Sequence, residues 1–462
     1  MTSDRFPQFG SVGFATSYRT EPALRSGAEL PKTSTLIVGQ REPDPSPKAA
    51  IFLGKMIEQT AAKSYFNYAV WLDATFPHVA LIAGKRGSGK SYDLGIIAEG
   101  LCAPDSAIAF GTEKFAMVLF DTQNQFWTLG RSGSRLPASD AAQLAKWNIG
   151  QVEIASPVVY RPRGTTSLAD FETEFAIRPS DLEPDDWTAL CGLDRYSAMG
   201  QCLRAARASM IGHWSVSNMV EWLGGEEPSQ RFAQATIDAV VWRLEAMEGS
   251  ELFSPEAEDI TVRLAASGSK SVVQLAELDD DTKSVIVAVI MRKLIRWAGP
   301  AQRKKKMANL LGQGVDNDQA VAPRIWVLID EAHLVCPSDR ATAARPVIVD
   351  FVKRGRDAGL SLVLATQQPS ALDTAAISQN DLVAMHKLTI DSDIAAATAR
   401  MPARMPARVT KLPRTIEIPG MDELARSLDA GQSLFADAES SRAFILQSRP
   451  RVSPHGGGEP QL

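Results

Sequence analysis

The stretch Ala80-Leu-Ile-Ala-Gly-Lys-Arg-Gly-Ser-Gly-Lys-Ser91 narrows what this chain can fold into more than any other. Gly84, Gly89, Lys90 and Ser91 stand at the offsets of a phosphate-binding loop. The apolar run Val79 to Ala83 reads as a buried strand leading in, and Leu94 to Leu101 as a helix leading out, which is the context such a loop needs. Its glycines let successive backbone N–H groups turn inward at a helix N-terminus and cradle phosphate oxygens. Lys90 is then expected at the outer phosphates and Ser91 at a divalent cation.

The composition around this motif is that of an ordinary globular protein. The chain has 462 residues, 45% of them hydrophobic and 22% charged, enough for two or three domains or one large domain with insertions. A net charge of −5 gives no global nucleic-acid signature, although a locally basic channel stays open. Cys102, Cys191, Cys202 and Cys336 lack paired or metal-like spacing and read as reduced core residues. There is no signal-peptide pattern and no apolar run of the ~20 residues that a spanning helix needs, so a cytoplasmic protein without a membrane segment is the expectation.

Taken in order, residues 1 to about 60 read as a small β module or irregular arm. Short strands are expected at Phe9–Ala15 and Ser34–Val38, and a helix over Lys48 to Ala62. Tyr68 to Leu72 alternates like an edge strand. Ala116 to Phe120 reads as a second buried strand closed by Asp121, and strand, helix, strand in this order implies a parallel sheet. Residues 179–265 switch to helical period and read as an all-α insertion in a core made of 61–178 and 266–450. Val272 to Leu275 returns to strand. The run Val285 to Ile290 is β-branched and fits a strand; the acids before it and Arg292, Lys293 and Arg296 after it favour a helix. Arg303-Lys-Lys-Lys306 reads as a solvated loop, with contact to a phosphate backbone as the functional alternative. Arg400, Arg404 and Arg408, interleaved with Pro402 and Pro406, read as a solvated segment. Residues 451–462 read as a flexible tail.

Arg324-Ile-Trp-Val-Leu-Ile-Asp-Glu-Ala-His-Leu334 supplies the second half of a nucleotide site. A buried strand ending in Asp330-Glu331 delivers one carboxylate to the cation and one to an attacking water as general base. Ser361 to Pro369 is a further strand ending in Gln367, an amide placed to sense the last phosphate or orient water. Arg356 lies before that strand and reads either as a surface arginine or as a charge offered to a neighbouring subunit's site. His333 reads as a packing residue, and His78 could face nucleotide or a subunit interface.

These residues together carry a resemblance. His78 to Ser91, Leu328 to His333, Gly355-Arg356, Ala365 to Ser370, Ser378-Gln-Asn-Asp381 and Asp391-Ser-Asp393 are similar to the HerA branch of the HerA/FtsK superfamily of ring ATPases. The resemblance implies an α/β fold of the P-loop NTPase, RecA/FtsK-like kind, with a mainly parallel sheet. It implies ATP and Mg²⁺ as cofactors. The nucleotide would lie on Gly84, Lys85, Arg86, Gly87, Ser88, Gly89, Lys90, Ser91 and Tyr92, with metal at Ser91 and Asp330. Lys90, Glu331 and Gln367 would serve catalysis in one subunit and Arg356 in the next. Asp121, Thr122 and Gln123 look like the family's acidic turn after the second strand.

The resemblance further implies a homo-hexameric ring that translocates double-stranded DNA beside a separate nuclease or effector chain, in DNA end processing or anti-phage defence. The rival reading is an ATP-binding hexameric scaffold that assembles and regulates an effector enzyme. A coupling ATPase for secretion and an unrelated P-loop kinase fit less well. The first lacks its membrane segment, and the second does not account for the spacing from Lys90 to Asp330 and Gln367.

Overall fold

The computed structural model describes residues 16–18, 35–41, 47–57, 68–130, 136, 138–167, 169–311, 324–399, 401, 409–411, 421–439 and 442–456. Its centre is a 14-stranded sheet. The strands are β1 (Thr35–Val38), β2 (Ala50–Met56), β3 (Tyr68–Asp73), β4 (Val79–Ala83), β5 (Phe115–Asp121), β6 (Val158–Pro162), β7 (Thr173–Phe175), β8 (Lys270–Gln274), β9 (Arg324–Ile329), β10 (Leu360–Thr366), β11 (Leu382–Met385), β12 (Gln432–Asp437) and β13 (Arg442–Ser448), with Ala109–Phe110 paired onto β2. Their order across the sheet is β1-β3-β2-β13-β12-β11-β4-β10-β9-β5-β8-β6-β7. From β11 to β7 every pairing is parallel. From β11 back to β3 the pairings are antiparallel. Thr16–Tyr18 and Val409–Lys411 form a separate antiparallel pair.

The parallel strands are buried on both faces, and their side chains alternate between two cores. Val79, Leu81 and Ala83 of β4 join one cluster, with Val327, Leu362 and the apolar face of the long helix α2 (Asp280–Leu310). Ala80 and Ile82 join the other, with Leu328, Val363 and the helix α1 (Lys90–Cys102). The run Val285 to Ile290 is thus helical, and Asp279 caps it by accepting from the Thr282 N–H at 2.9 Å. Between β7 and β8 the chain forms the helices Pro184–Leu190, Ala198–Ser209, Val216–Leu223, Glu226–Arg231, Gln234–Glu248 and Thr261–Leu264. They are tied to α2 by the Arg292 guanidinium, whose two nitrogens each reach Asp186 at 2.9 Å, and by Lys293 on Asp181 and Asp259 at 2.6 and 2.9 Å.

Four expectations need correction. The helix read over Lys48 to Ala62 is strand β2 where described. All seven of its residues are buried, so no polar alternation marks it, and Lys55 lies under cover with its ammonium 4.8 Å from the Trp147 ring centroid. Burial lowers the Lys55 pKa to about 8. The described strands of the N-terminal module, β1 and β2, extend the main sheet instead of standing apart from it. The basic run Arg303–Lys306 is no loop: it belongs to α2, which continues past Pro300 because one missing N–H removes only one rung of the ladder.

The flexible tail, where described over 451–456, is the fourth; residues 457–462 lie outside the described residues. Glu99 is fully buried and accepts from Arg449 at 2.8 Å, Arg451 at 3.0 Å and the Ser453 hydroxyl at 2.6 Å. A carboxylate inside α1 needs such partners, and the chain through Gly456 supplies them on its way to the Gln125 carbonyl. Its charge partners outweigh burial and hold the Glu99 carboxyl below its usual range. Phe9–Ala15 and Arg400, Arg404 and Arg408 lie outside the described residues.

Candidate nucleotide site

Strand β4 ends at Ala83, and the chain turns through Gly84 to Gly89 into α1. Gly87 has φ +75° and Gly89 φ +119°, conformations that side chains rarely adopt, and nothing lies within 4 Å of where a Gly87 Cβ would stand. Lys85, Arg86 and Gly87 are exposed at the loop's crest, whereas Ser88 turns inward, its hydroxyl donating to the Lys85 carbonyl at 2.7 Å. The Gly84 N–H donates to the Thr366 carbonyl at 3.2 Å, which ties the loop to the end of β10.

In the sheet, β10 lies between β4 and β9, so Ala83, Thr366 and Ile329 end side by side. That register brings together four of the residues singled out in the sequence. Lys90, 4% exposed, donates from Nζ to Asp330 Oδ1 at 2.8 Å and to Glu331 Oε1 at 2.7 Å. Gln367 holds the same Glu331 carboxylate with its side-chain amide on Oε1 and with its backbone N–H on Oε2 at 3.2 Å. Burial alone would lower the Lys90 pKa; the two carboxylates outweigh it and hold the ammonium above its usual value. Asp330, fully buried, has its pKa raised, chiefly by burial.

Glu331 sits in the left-handed region at φ 46°, ψ 50°, a conformation costing about 1–3 kcal/mol for such a residue and concentrated at functional sites. It aims the carboxylate back over the loop. His333 Nδ1 lies 3.4 Å from Glu331 Oε2 and 3.1 Å from the Thr366 hydroxyl, packed behind the site. Burial lowers its pKa, which suits a neutral ring.

The residues present fit a divalent cation. Among the described residues, Asp330 Oδ2 is buried without a hydrogen-bond partner, the one oxygen of the acidic pair that Lys90, Gln367 and His333 leave open. Ser91, half-buried at the start of α1, follows directly on Lys90. An oxygen-only set of carboxylate and hydroxyl is what Mg²⁺ takes beside phosphate.

Two of the sequence candidates are not at this site. The Tyr92 hydroxyl accepts from the Arg451 backbone N–H at 2.6 Å, and its ring stands edge-on to His455 at 6.1 Å, so the side chain turns to the C-terminal segment and away from the loop. Burial lowers the His455 pKa to about 4. Arg356 precedes β10 whereas Gln367 follows it. The strand's seven residues at ~3.3 Å each put about 23 Å between the two ends. Arg356 reaches the Gln379 carbonyl at 2.9 Å and Asp381 at 3.4 Å, at the opposite edge of the sheet from its own Lys90. His78, just before β4, shares that edge.

Asp121 caps its own turn, accepting from the N–H groups of Phe126 at 2.8 Å, Gln125 at 3.0 Å and Gln123 at 3.3 Å, and burial raises its pKa to about 6. The Thr122 hydroxyl donates to the Asp330 carbonyl at 3.2 Å.

A supporting layer under the loop has no local sequence signal. His386, after β11, is fully buried; its Nδ1 lies 3.0 Å from the Gln432 carbonyl and its Nε2 3.0 Å from Asp93 Oδ2. A Cβ on Gly84 would meet the His386 Cβ at 2.7 Å, so the loop lies flat on this ring. Asp93 also accepts from the Ser448 hydroxyl at 2.5 Å. The periodic signal available was only an acid in the first turn of α1.

The family described as Helicase HerA, central domain, matches residues 51–294, more than half of the chain. Among curated proteins, the chain is 26% identical over 123 residues to "Probable helicase MJ1565" of Methanocaldococcus jannaschii, covering 27% of this chain and 22% of that one. It is 25% identical over 144 residues to "DNA double-strand break repair helicase HerA" of Sulfurisphaera tokodaii, 31% and 26% of the two chains. With the HerA of Pyrococcus furiosus it shares 20% identity over 312 residues, 55% and 56%. The matched region thus spans about a quarter of the first two relatives and just over half of the third. Among solved structures, the plasmid coupling protein TrwB in complex with ADP and Mg²⁺ superposes with a TM-score of 0.51 at 13% identity, over 97% of this chain and 100% of that one. VirB4 of Thermoanaerobacter pseudethanolicus gives 0.50 at 14%, over 86% and 96%. These likenesses give the fold, a P-loop NTPase. The chain belongs to the HerA central-domain family.

Proposed function

We propose that this member of the HerA central-domain family is an ATP-hydrolysing ring motor that moves along double-stranded DNA. The observation that carries the reading is the convergence of Lys90, Asp330, Glu331 and Gln367 at the mouth of a glycine-rich loop. Without phosphate, the Lys90 ammonium neutralises the two carboxylates. An arriving triphosphate competes for that ammonium, and as Lys90 turns to the phosphates Glu331 Oε1 loses one of its two donors and gains room to accept a proton. Gln367 keeps the carboxylate in place through both its amides, so Glu331 is oriented to take a proton from an attacking water. Backbone N–H groups of the loop and the start of α1 bind the phosphate oxygens. Asp330 and Ser91 would hold Mg²⁺, which when bound neutralises charge on the phosphates.

Among the described residues, Lys90 is the cation held on the acidic pair. We assign a second, trans-acting charge to Arg356 of a neighbouring subunit. The position of Arg356 at the far edge of the sheet supports this reading, because it leaves no path to its own site. A closed ring, a hexamer by resemblance, gives every site one such neighbour. The relatives named as DNA double-strand break repair helicases support duplex DNA as the track; a separate nuclease or effector chain is the partner that the family resemblance implies. Among the described residues no helix is long and apolar enough to cross a membrane.

The test is ATP turnover by the purified protein with Mg²⁺, with and without linear duplex DNA, after light scattering has fixed the subunit number. Turnover by a ring that rises with DNA supports the motor. Slow turnover indifferent to DNA supports an ATP-stabilised scaffold instead.

A further inference from the structure

The edge of the sheet that carries Arg356 holds a buried charged cluster that the hydrolytic residues do not use. Asp381, 3% exposed, stands immediately before β11. Its Oδ1 accepts from the Val79 N–H at 2.8 Å, at the very start of β4. Its Oδ2 lies 2.9 Å from His78 Nδ1 and 3.4 Å from both Arg356 and Arg41. The His78 ring is fully buried, and its Nε2 lies 2.7 Å from the Asp73 carbonyl. An ion pair this enclosed, with every oxygen engaged, has a fixed geometry.

Arg356 is held in a particular way. Its contact with Asp381 and with the Gln379 carbonyl both run through one terminal nitrogen, Nη2. Its Nε is buried with no hydrogen-bond partner among the described residues. The side chain is 31% exposed. A guanidinium used to brace a fold spends its fork on bidentate contacts, as Arg292 does on Asp186. This one is tethered at one corner through Nη2, and among the described residues its other terminal nitrogen, Nη1, has no partner and is left for a group outside the chain.

We infer that Asp381, itself fixed by His78 and by the Val79 backbone, is the positioning residue that presents Arg356 to the neighbouring subunit's nucleotide. The inference rests on the proposal that Arg356 acts in trans. It also links two sites. His78 and Asp381 precede β4 and β11, and these adjacent parallel strands end at Gly84 and at His386, under the chain's own phosphate loop. The seat of the arginine and the loop are thus the two ends of one rigid strand pair.

The experiment uses mixed rings. Acceptor subunits carry Arg356→Ala and keep an intact hydrolytic site; donor subunits carry Lys90→Ala and keep the arginine. Light scattering confirms that each mixture forms rings, and ATP turnover is read with Mg²⁺. Adding Asp381→Asn to the donor is expected to lower the restored turnover by about a hundredfold, the loss that a misplacement of about 1 Å brings. The same substitution on the acceptor, whose own seat has lost Arg356 and keeps only Arg41, is expected to leave most of it, since the carboxamide oxygen put in place of the carboxylate still accepts from the Val79 N–H. His78→Gln on the donor, read the same way, is expected to cost roughly tenfold, and it carries the test should Asp381→Asn fail to assemble. Equal losses from donor and acceptor, or no loss from the donor, overturn the inference while leaving the trans arginine standing. Failure of the unmodified donor and acceptor to restore any turnover overturns the trans reading, and the inference with it.

Discussion

Arg356 and Gln367 stand at opposite ends of one strand, Leu360–Thr366, the first at the edge shared with His78 and Asp381 and the second on the Glu331 carboxylate. On the proposal that both residues serve one site, that site is built from two subunits, and each subunit gives with one edge of its sheet what it receives at the other.

Removing the base should separate binding from chemistry. Glu331→Gln keeps the shape and, through its one carbonyl oxygen, the contacts to Lys90 and the Gln367 side chain, but its NH2 cannot accept from the Gln367 backbone N–H and it cannot take a proton. Hydrolysis is expected to fall by about 10²- to 10⁴-fold while ATP affinity stays within a few-fold. Nucleotide binding by fluorescence and turnover by phosphate release check this, and unchanged turnover rejects the role.

Lys90→Ala removes the cation that both holds phosphate and neutralises Asp330 and Glu331. Turnover is expected to drop by about 10²- to 10³-fold. The nucleotide-free protein should also melt lower, because two buried carboxylates lose their common partner. Wild-type turnover in this variant would sink the site assignment.

Glu99→Ala tests the anchoring of the C-terminal segment. It leaves Arg449, fully buried, and Arg451, 2% exposed, without their carboxylate. The expected loss is about 3–5 kcal/mol of stability, read by denaturant unfolding. A loss under about 1 kcal/mol, the scale of an exposed pair, would show that the segment is loosely held.

The His78–Asp381 pair predicts a pH dependence. Burial pushes the His78 pKa down, but the Asp381 carboxylate outweighs both that and the opposing Arg41, and the net shift is upward. Asp381 is raised by burial and lowered more by His78 and Arg356, so its net shift is downward. A His raised in the folded state contributes stability fully below its unfolded pKa of about 6.5 and loses it as pH climbs through the folded value. A lowered Asp contributes above about 3.9 and loses it as pH falls. The pair therefore favours the fold most between about pH 4 and 6.5. His78→Gln is expected to flatten the decline in melting temperature above pH 6.5. A decline equally steep in the variant would assign it to other groups.

What the sequence makes legible is local. The loop from Gly84 to Ser91 and the acids Asp330 and Glu331 announce themselves because phosphate chemistry demands fixed residue types at fixed spacing, each behind a buried strand. The strand order is not local. Nothing between Lys90 and Asp330 states that β10, which follows β9 in the chain, inserts between β9 and β4; that register alone puts Gln367 on Glu331. Strand β2 passes for a helix because burial on both faces erases the period of two, and Lys55 in its midst mimics a helix surface. The tail passes for a linker because Ser453-Pro-His-Gly looks like one until Glu99, deep in α1, is seen to need it. His386 and Asp93 carry no motif, since a ring beneath a loop is specified only by the folded contact.

The measurement that tests the shared site most directly is turnover per subunit across a dilution series, with light scattering on the same samples. If a neighbour's Arg356 completes each site, as proposed, the rate per subunit should fall in step with the dissociation of rings into single chains. Single chains that hydrolyse ATP at the rate of the ring would contradict the account.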